Sequence, residues 1–161
     1  MRLRPGNFPY VRIAQLAYLY HTKEALLSKV IDCETLKEVK SLFVLGTSPY
    51  WENHYNFRKP SSDKLKKVGN SSLDLVVINT VVPFLYAYGL HKGNDNLCRR
   101  ATSFLEELKA EDNRITRCWA GAGLEVYNAV DSQALIQLQN EYCDKKKCLY
   151  CRFGYEYLRT K

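Results

Sequence analysis

Residues 73–89, Leu-Asp-Leu-Val-Val-Ile-Asn-Thr-Val-Val-Pro-Phe-Leu-Tyr-Ala-Tyr-Gly, are apolar on nearly every side of a helix. A surface helix keeps one polar face, so a helix that is apolar all round has to be surrounded. The chain must therefore wrap other elements about this segment. Ser71 or Ser72 is placed to cap it, giving a helix over 72–89. Pro83 has no N–H and clashes with the preceding turn, so the spacing predicts a kink there and an unpaired carbonyl at Asn79. The polar Asn79 and Thr80 are expected to bond backbone groups at that kink rather than to line a pocket.

The rest of the chain also reads as helix. Pro9 suits a first helical turn, with Val11, Ile13, Leu16, Ala17 and Tyr20 as the inward stripe and Arg12 and Gln15 off it. Thr22 is the expected cap of a helix over 23–31, and Asp32 of one over 33–44 that stops at Gly46. Ser48-Pro49 starts a short helix through His54, and residues 63–68 form a short turn. Asn94 or Asp95 caps a helix through Leu108, and Asn113 one toward Gly121. Asp131 or Ser132 caps a helix through Tyr142, and residues 148–158 form the last. The one strand candidate, Leu42 to Leu45, is too short to decide. The expectation is an all-α fold: one domain over 1–161, a multi-helix orthogonal bundle of about seven to nine helices around the 72–89 segment.

Charge is concentrated at the two ends. The formal net charge is +7. Residues 1–12 contribute Arg2, Arg4 and Arg12 with no acid, and residues 143–161 contribute six Lys/Arg against Asp144 and Glu156. The stretch between them is neutral. If the ends meet, Arg2, Arg4, Arg12, Lys145, Lys146, Lys147 and Arg152 make one basic face that attracts phosphate or an acidic protein. The alternative is a solubilising tail. No apolar run approaches the roughly 20 residues of a membrane helix without interruption, so no membrane partner is expected. The N-terminus lacks the apolar core of a signal peptide, and the six cysteines are accordingly expected to be reduced thiols in the cytoplasm.

Three of those cysteines fall in Cys143-Asp-Lys-Lys-Lys-Cys148-Leu-Tyr-Cys151. A Cys-x2-Cys pair can place two sulfurs on one zinc ion, and Cys143 is a possible third. Zinc and iron–sulfur clusters both need a fourth ligand, for which Cys118 is the first remote candidate. The competing reading makes Cys148 and Cys151 buried hydrophobes on one helix face, with no cofactor. The same segment interleaves Lys145, Lys146, Lys147 and Arg152 with Tyr150, Phe153, Tyr155 and Tyr157, the composition of a surface for single strands or RNA. Against it stands a tail whose aromatics pack inward while its cations snorkel outward. Glu52 and His54 are the weak catalytic candidates, as an acid–base pair; an i, i+2 spacing separates them on a helix, which favours a structural aromatic cluster of Tyr50, Trp51, Tyr55 and Phe57. Phosphate-binding loops, dinucleotide-binding glycine patterns, zinc-protease motifs and nucleophile elbows are missing from the sequence.

Four stretches carry a resemblance to a known family: Arg4 to Ala17, Tyr50 to Phe57, Ile78 to Gly89, and Asp131 to Leu135 with Tyr142 to Cys151. They resemble bacterial proteins grouped only as a domain of unknown function. The resemblance implies that this chain corresponds to the C-terminal part of a longer parent, whose N-terminal half would be a partner. It implies no activity. Leu65-Lys-Lys-Val-Gly69-Asn-Ser-Ser, with the terminal cysteines, also resembles the helix-hairpin-helix DNA-repair glycosylases. It lacks that family's second hairpin glycine and the fourth cysteine.

The sequence thus points first to a helical binding module for nucleic acid or an acidic partner, more a binder than an enzyme. A metal- or cluster-dependent DNA-processing domain and a purely structural or interaction domain are the alternatives.

Overall fold

The computed structural model describes residues 9–44, 46–61 and 66–159. Among these the fold is all-α, with nine helices and no strand beyond isolated bridges at His54–Pro60 and Lys109–Asn128. The helices are α1 Pro9–Thr22, α2 Leu26–Asp32, α3 Leu36–Phe43, α4 Pro49–Glu52, α5 Asn70–Lys92, α6 Asp95–Glu107, α7 Arg114–Gly121, α8 Ala129–Leu138 and α9 Arg152–Arg159. The chain divides into two compact units, Met1–Phe104 and Leu105–Lys161.

In the N-terminal unit α5 buries one stripe and leaves Leu75, Pro83, Tyr86 and Leu90 exposed, so it is not surrounded on every side as its composition suggests. Gly69, not a serine, is its N-cap. Leu73, Val77, Val81, Leu85 and Gly89 are buried at every fourth position, with Ile78 and Val82 beside them. Just before Pro83 the helix widens into a π turn, Val77–Val81, in which the Val82 N–H reaches back to the Val77 carbonyl. A wider turn moves backbone carbonyls away from the proline ring, which an α turn would press against residue 79. The Asn79 side chain donates to the Leu75 carbonyl at 3.0 Å, the structural role expected of it. At 23 residues, α5 is long and apolar enough to cross a membrane by length and composition alone, contrary to the expectation that no segment reaches that length. In this fold its buried stripe faces protein.

Helix α1 buries Val11, Ala14, Gln15 and Leu19, while Ile13, Leu16, Ala17 and Tyr20 are exposed. The expected stripe is therefore the wrong face apart from Val11. Thr22 ends α1, its hydroxyl donating to the Tyr18 carbonyl, and α2 starts from Ala25 in the left-handed region, φ 50°. Helix α3 is capped by Thr35, not Asp32: Glu38 N–H donates to Thr35 Oγ1, and the Thr35 N–H donates to the Glu38 carboxylate. Lys40 on α3 pairs with Asp74 on α5 at 2.6 Å, and Arg100 on α6 donates to the Ile31 carbonyl at the end of α2. Gly89 lets α6 approach α5: a Cβ there would lie 2.8 Å from Cys98 Sγ and 3.0 Å from the Asn94 carbonyl.

In the C-terminal unit, Asn113 caps α7 as expected, in a reciprocal box with Thr116. Asn128 caps α8, and Asp131, expected as the cap, is instead the third residue of that box. Leu108, Thr116, Ala129, Ser132 and Leu135 form its buried centre. The Glu111 carboxylate accepts from Ser132 Oγ and Gln133 Nε2 of α8, so Ser132 and Gln133 serve the fold.

Candidate functional site

The C-terminal tail is built by three tight backbone devices. Helix α8 runs on into a second π turn, Gln139–Cys143, fastened by the Asp144 N–H to the Gln139 carbonyl and by Gln139 Nε2 to Asp144 Oδ1 at 2.6 Å. The chain then reverses at the lysines: Lys147 N–H donates to the Tyr142 carbonyl at 2.9 Å, and Lys146 sits at φ 53° in the left-handed region. A 3-10 turn, Cys148–Tyr150, and extended Cys151 follow before α9 begins. The expected single helix over 148–158 is thus broken in two. Gly154 closes the structure, since its α-carbon faces the Cys148 carbonyl so closely that a Cβ would stand 2.3 Å from that oxygen.

This architecture gives the three thiols different exposures. Cys151 is buried, while Cys143 and Cys148 are exposed, so the latter pair does not share a helix face with it. The little burial its sulfur has pushes the Cys143 thiol above its ordinary value, and nearby Cys151, Cys148 and Asp144 add to that. A raised thiol is a poorer nucleophile and ligand at neutral pH, because both roles need the thiolate. Among the described residues no three His, Cys, Asp or Glu side chains gather as a metal ion would require. Cys118, the candidate fourth ligand, is exposed on α7.

The same architecture displays the cations and rings. Lys145 pairs with Glu141 at 2.5 Å and Arg152 with Glu156 at 2.8 Å. The Lys145 contact and charge hold the Glu141 carboxyl below the usual carboxylate range. Lys146 and Lys147 are exposed and form no ion pair among the described residues. Tyr150 is 83% exposed, Phe153 60% and Tyr157 61%, with Tyr155 and Leu149 also exposed. Lys147 and Tyr150 line an open groove of about 510 Å³ with Gln137, Glu141 and Tyr142. Periodicity could not reveal this exposure, because alternating aromatics look the same whether a core or solvent meets them.

The remaining candidates lie in the N-terminal unit. Arg2 and Arg4 fall outside the described residues. Arg12 is half-buried on α1, donating to Gln15 Oε1 at 3.0 Å and to Ser72 Oγ at 3.2 Å. His54 stacks on Tyr50 with ring centroids 4.1 Å apart, and its Nδ1 lies 2.9 Å from the Tyr50 carbonyl, an acceptor that keeps the proton on that nitrogen. Tyr50, Trp51 and Phe57 complete the cluster, and Tyr10 joins it from α1. Glu52 contributes its backbone carbonyl, which accepts from Lys66 Nζ at 2.7 Å. Lys66, buried and 4.2 Å above the Tyr55 ring, was not foreseen, since a lysine in a polar stretch gives no sign of burial.

No curated protein and no solved structure matches the chain, and the likeness to DNA-repair glycosylases finds no support among them. A family model does match, over residues 1–114, short of the lysine–cysteine tail. That match spans the whole N-terminal unit and more than half of the sequence, so the chain belongs to the family described as protein of unknown function (DUF2851).

Proposed function

We propose that the C-terminal unit binds single-stranded nucleic acid through its tail. The observation that carries this reading is the joint exposure of Tyr150, Phe153, Tyr155 and Tyr157 with Lys145, Lys146, Lys147 and Arg152. Aromatic faces exposed to water are poor for folding and good for stacking on bases, while neighbouring ammonium groups neutralise phosphates. Base stacking contributes about 1–3 kcal/mol per ring and tolerates any sequence. An acidic protein would use the cations but leave the rings without a role.

The test is fluorescence anisotropy with labelled single-stranded RNA and DNA at several salt concentrations. Binding should weaken as salt rises, with a logarithmic slope of about −1.4 if Lys146 and Lys147 carry the contact, as each phosphate neutralised on a single strand contributes about −0.7. Lys146→Glu with Lys147→Glu should abolish it, and Tyr150→Ala should weaken it about tenfold. Affinity that ignores salt, or no binding at all, sinks the proposal.

A second reading, a structural or interaction domain, draws on Ile13, Leu16 and Tyr20, which α1 leaves exposed. It predicts no oligonucleotide binding at any salt concentration.

A further inference from the structure

The 3-10 turn Cys148–Tyr150 sets two thiols in a defined relation. Its closing bond runs from the Cys151 N–H to the Cys148 carbonyl at 3.2 Å. A 3-10 turn rises about 2.0 Å per residue and completes itself in three residues, so the two α-carbons stand about 6 Å apart. Disulfides most often span about 5.5–6 Å between α-carbons. The turn is fixed from the far side as well. Helix α9 starts directly after Cys151, whose carbonyl accepts from the Tyr155 N–H at 2.8 Å, and the close approach of Gly154 holds that helix against the Cys148 carbonyl. The two thiols differ in access: Cys148 is exposed, whereas Cys151 is buried. Lys146 and Lys147 directly precede the accessible thiol in the chain and are themselves exposed.

We propose that Cys148 and Cys151 form a thiol–disulfide exchange site for small anionic disulfides. Cys148 meets the disulfide first, because its sulfur is the one that solvent reaches. Its thiolate attacks one sulfur of R–S–S–R; that bond breaks, Cys148 gains an S–S bond to R, and the departing RS⁻ takes up a proton. The Cys151 thiolate then attacks the Cys148 sulfur. The internal S–S bond forms, and the second RS⁻ leaves and is protonated. Two protein thiols are thus oxidised and one external disulfide is reduced to two thiols. The two protons released by the cysteines balance the two taken up. Burial keeps outside reagents from reaching Cys151 directly, while the turn makes its attack on Cys148 intramolecular. The charge of the substrate follows from Lys146 and Lys147, which draw anions toward Cys148. The chemistry makes no use of base stacking, so it stands whether or not the tail binds nucleic acid.

The experiment takes the reduced full chain through exchange with glutathione disulfide, whose carboxylates make it anionic. Acid quenching, alkylation and peptide mass spectrometry locate the products. The unaltered protein should yield an internal Cys148–Cys151 bond with two glutathiones released. Cys151→Ser should stop at the mixed disulfide on Cys148, and Cys148→Ser should abolish the reaction in the tail. Cys143→Ser should change neither. Cys118, also exposed, is the internal control and should react about tenfold more slowly. Added salt should slow glutathione disulfide and leave the uncharged hydroxyethyl disulfide unaffected. An internal bond to Cys143, a mixed disulfide that never closes, or a Cys118 rate equal to that of Cys148 overturns the proposal, as does the same salt response for both disulfides. These comparisons are made on the unaltered protein and hold even if a variant does not fold.

Discussion

The side-chain amide of Gln15 donates to the backbone carbonyl of Lys66 at 2.7 Å, fifty-one residues further along the chain. Both residues are buried. The Lys66 amine in turn donates to the Glu52 carbonyl and lies over the Tyr55 ring. One residue thus fastens α1 to the aromatic segment, through its backbone on one side and its side chain on the other.

Replacing Gln15 with leucine keeps the volume and removes the donor. The Lys66 carbonyl is then buried without that partner, a loss of about 1–3 kcal/mol. Urea denaturation followed by circular dichroism should show a lower midpoint with the slope unchanged. An unaltered midpoint would mean that water or another donor replaces the amide.

Glu38 gives a pH-dependent contribution. Its carboxylate accepts the N–H groups of Glu34 at 2.9 Å and Thr35 at 3.2 Å, and these bonds hold its pKa below the ordinary value. A carboxyl depressed in the folded state stabilises the fold above its unfolded pKa of about 4.3, and that contribution disappears as pH falls through the folded pKa. Glu38→Gln should therefore lower Tm at pH 7, and the gap should close as the pH drops below about 4.3. A gap of constant size down to acid pH would show that the charge has no part in the cap.

Much of this cap was legible in the sequence, and its misreading is instructive. Thr35-x-x-Glu38 fits the capping-box pattern, but Asp32 comes first and is an equally good cap by type. At α8 the same ambiguity runs the other way: Asp131 looks like a cap, whereas Asn128 takes that place and Asp131 completes the box. Asn113 takes the cap of α7 as expected, although Asp112 stands beside it. Helix type and approximate extent follow from local periodicity, which is why the all-α class emerges cleanly. Which face of α1 turns inward does not, because its apolar residues fit two stripes, and the deciding bond from Gln15 comes from far along the chain. The site candidates divide similarly. Residue type marked Lys145 to Lys147 and the tail aromatics, but their exposure depends on turns at Lys146 and Cys151 that no spacing rule encodes.

Ala25 occupies the left-handed region at φ 50°, ψ 41°, a conformation that clashes with its Cβ. It is exposed. Ala25→Gly should raise stability by roughly 0.5–1 kcal/mol, the relief of strain outweighing the extra freedom of the unfolded chain. Differential scanning calorimetry measures this directly. A lower Tm would mean that the link from α1 to α2 is not held in this conformation.

Gly154 should tolerate no side chain. A Cβ would meet the Cys148 carbonyl at 2.3 Å, and that atom belongs to the backbone and cannot swing aside. Gly154→Ala should loosen the tail, by roughly 1–3 kcal/mol. Cys151 is the reporter, being the one buried thiol of the three. In the parent protein it should react with an aromatic disulfide reagent far more slowly than Cys148; in the variant the two rates should converge. Slow Cys151 labelling in the variant would show that the tail accommodates the methyl group.

The π turn ahead of Pro83 governs more than the proline. From Leu73 to Gly89 is sixteen residues, over which an uninterrupted α-helix would carry its fourth-residue positions roughly 160° round the axis. Absorbing one extra residue in a wider turn reduces that rotation to about 60°. That is why Leu73, Val77, Val81, Leu85 and Gly89 all reach the same interior. Asn79 and Thr80 lie on the outside of the turn and look dispensable. Dropping either from the gene would close the wide turn to an ordinary α turn and leave Leu85 and Gly89 at the same angle to Leu73. Inserting a further residue would instead swing them by about 100°. The helix thus takes up one extra residue at its proline without losing the phase of its hydrophobic spine.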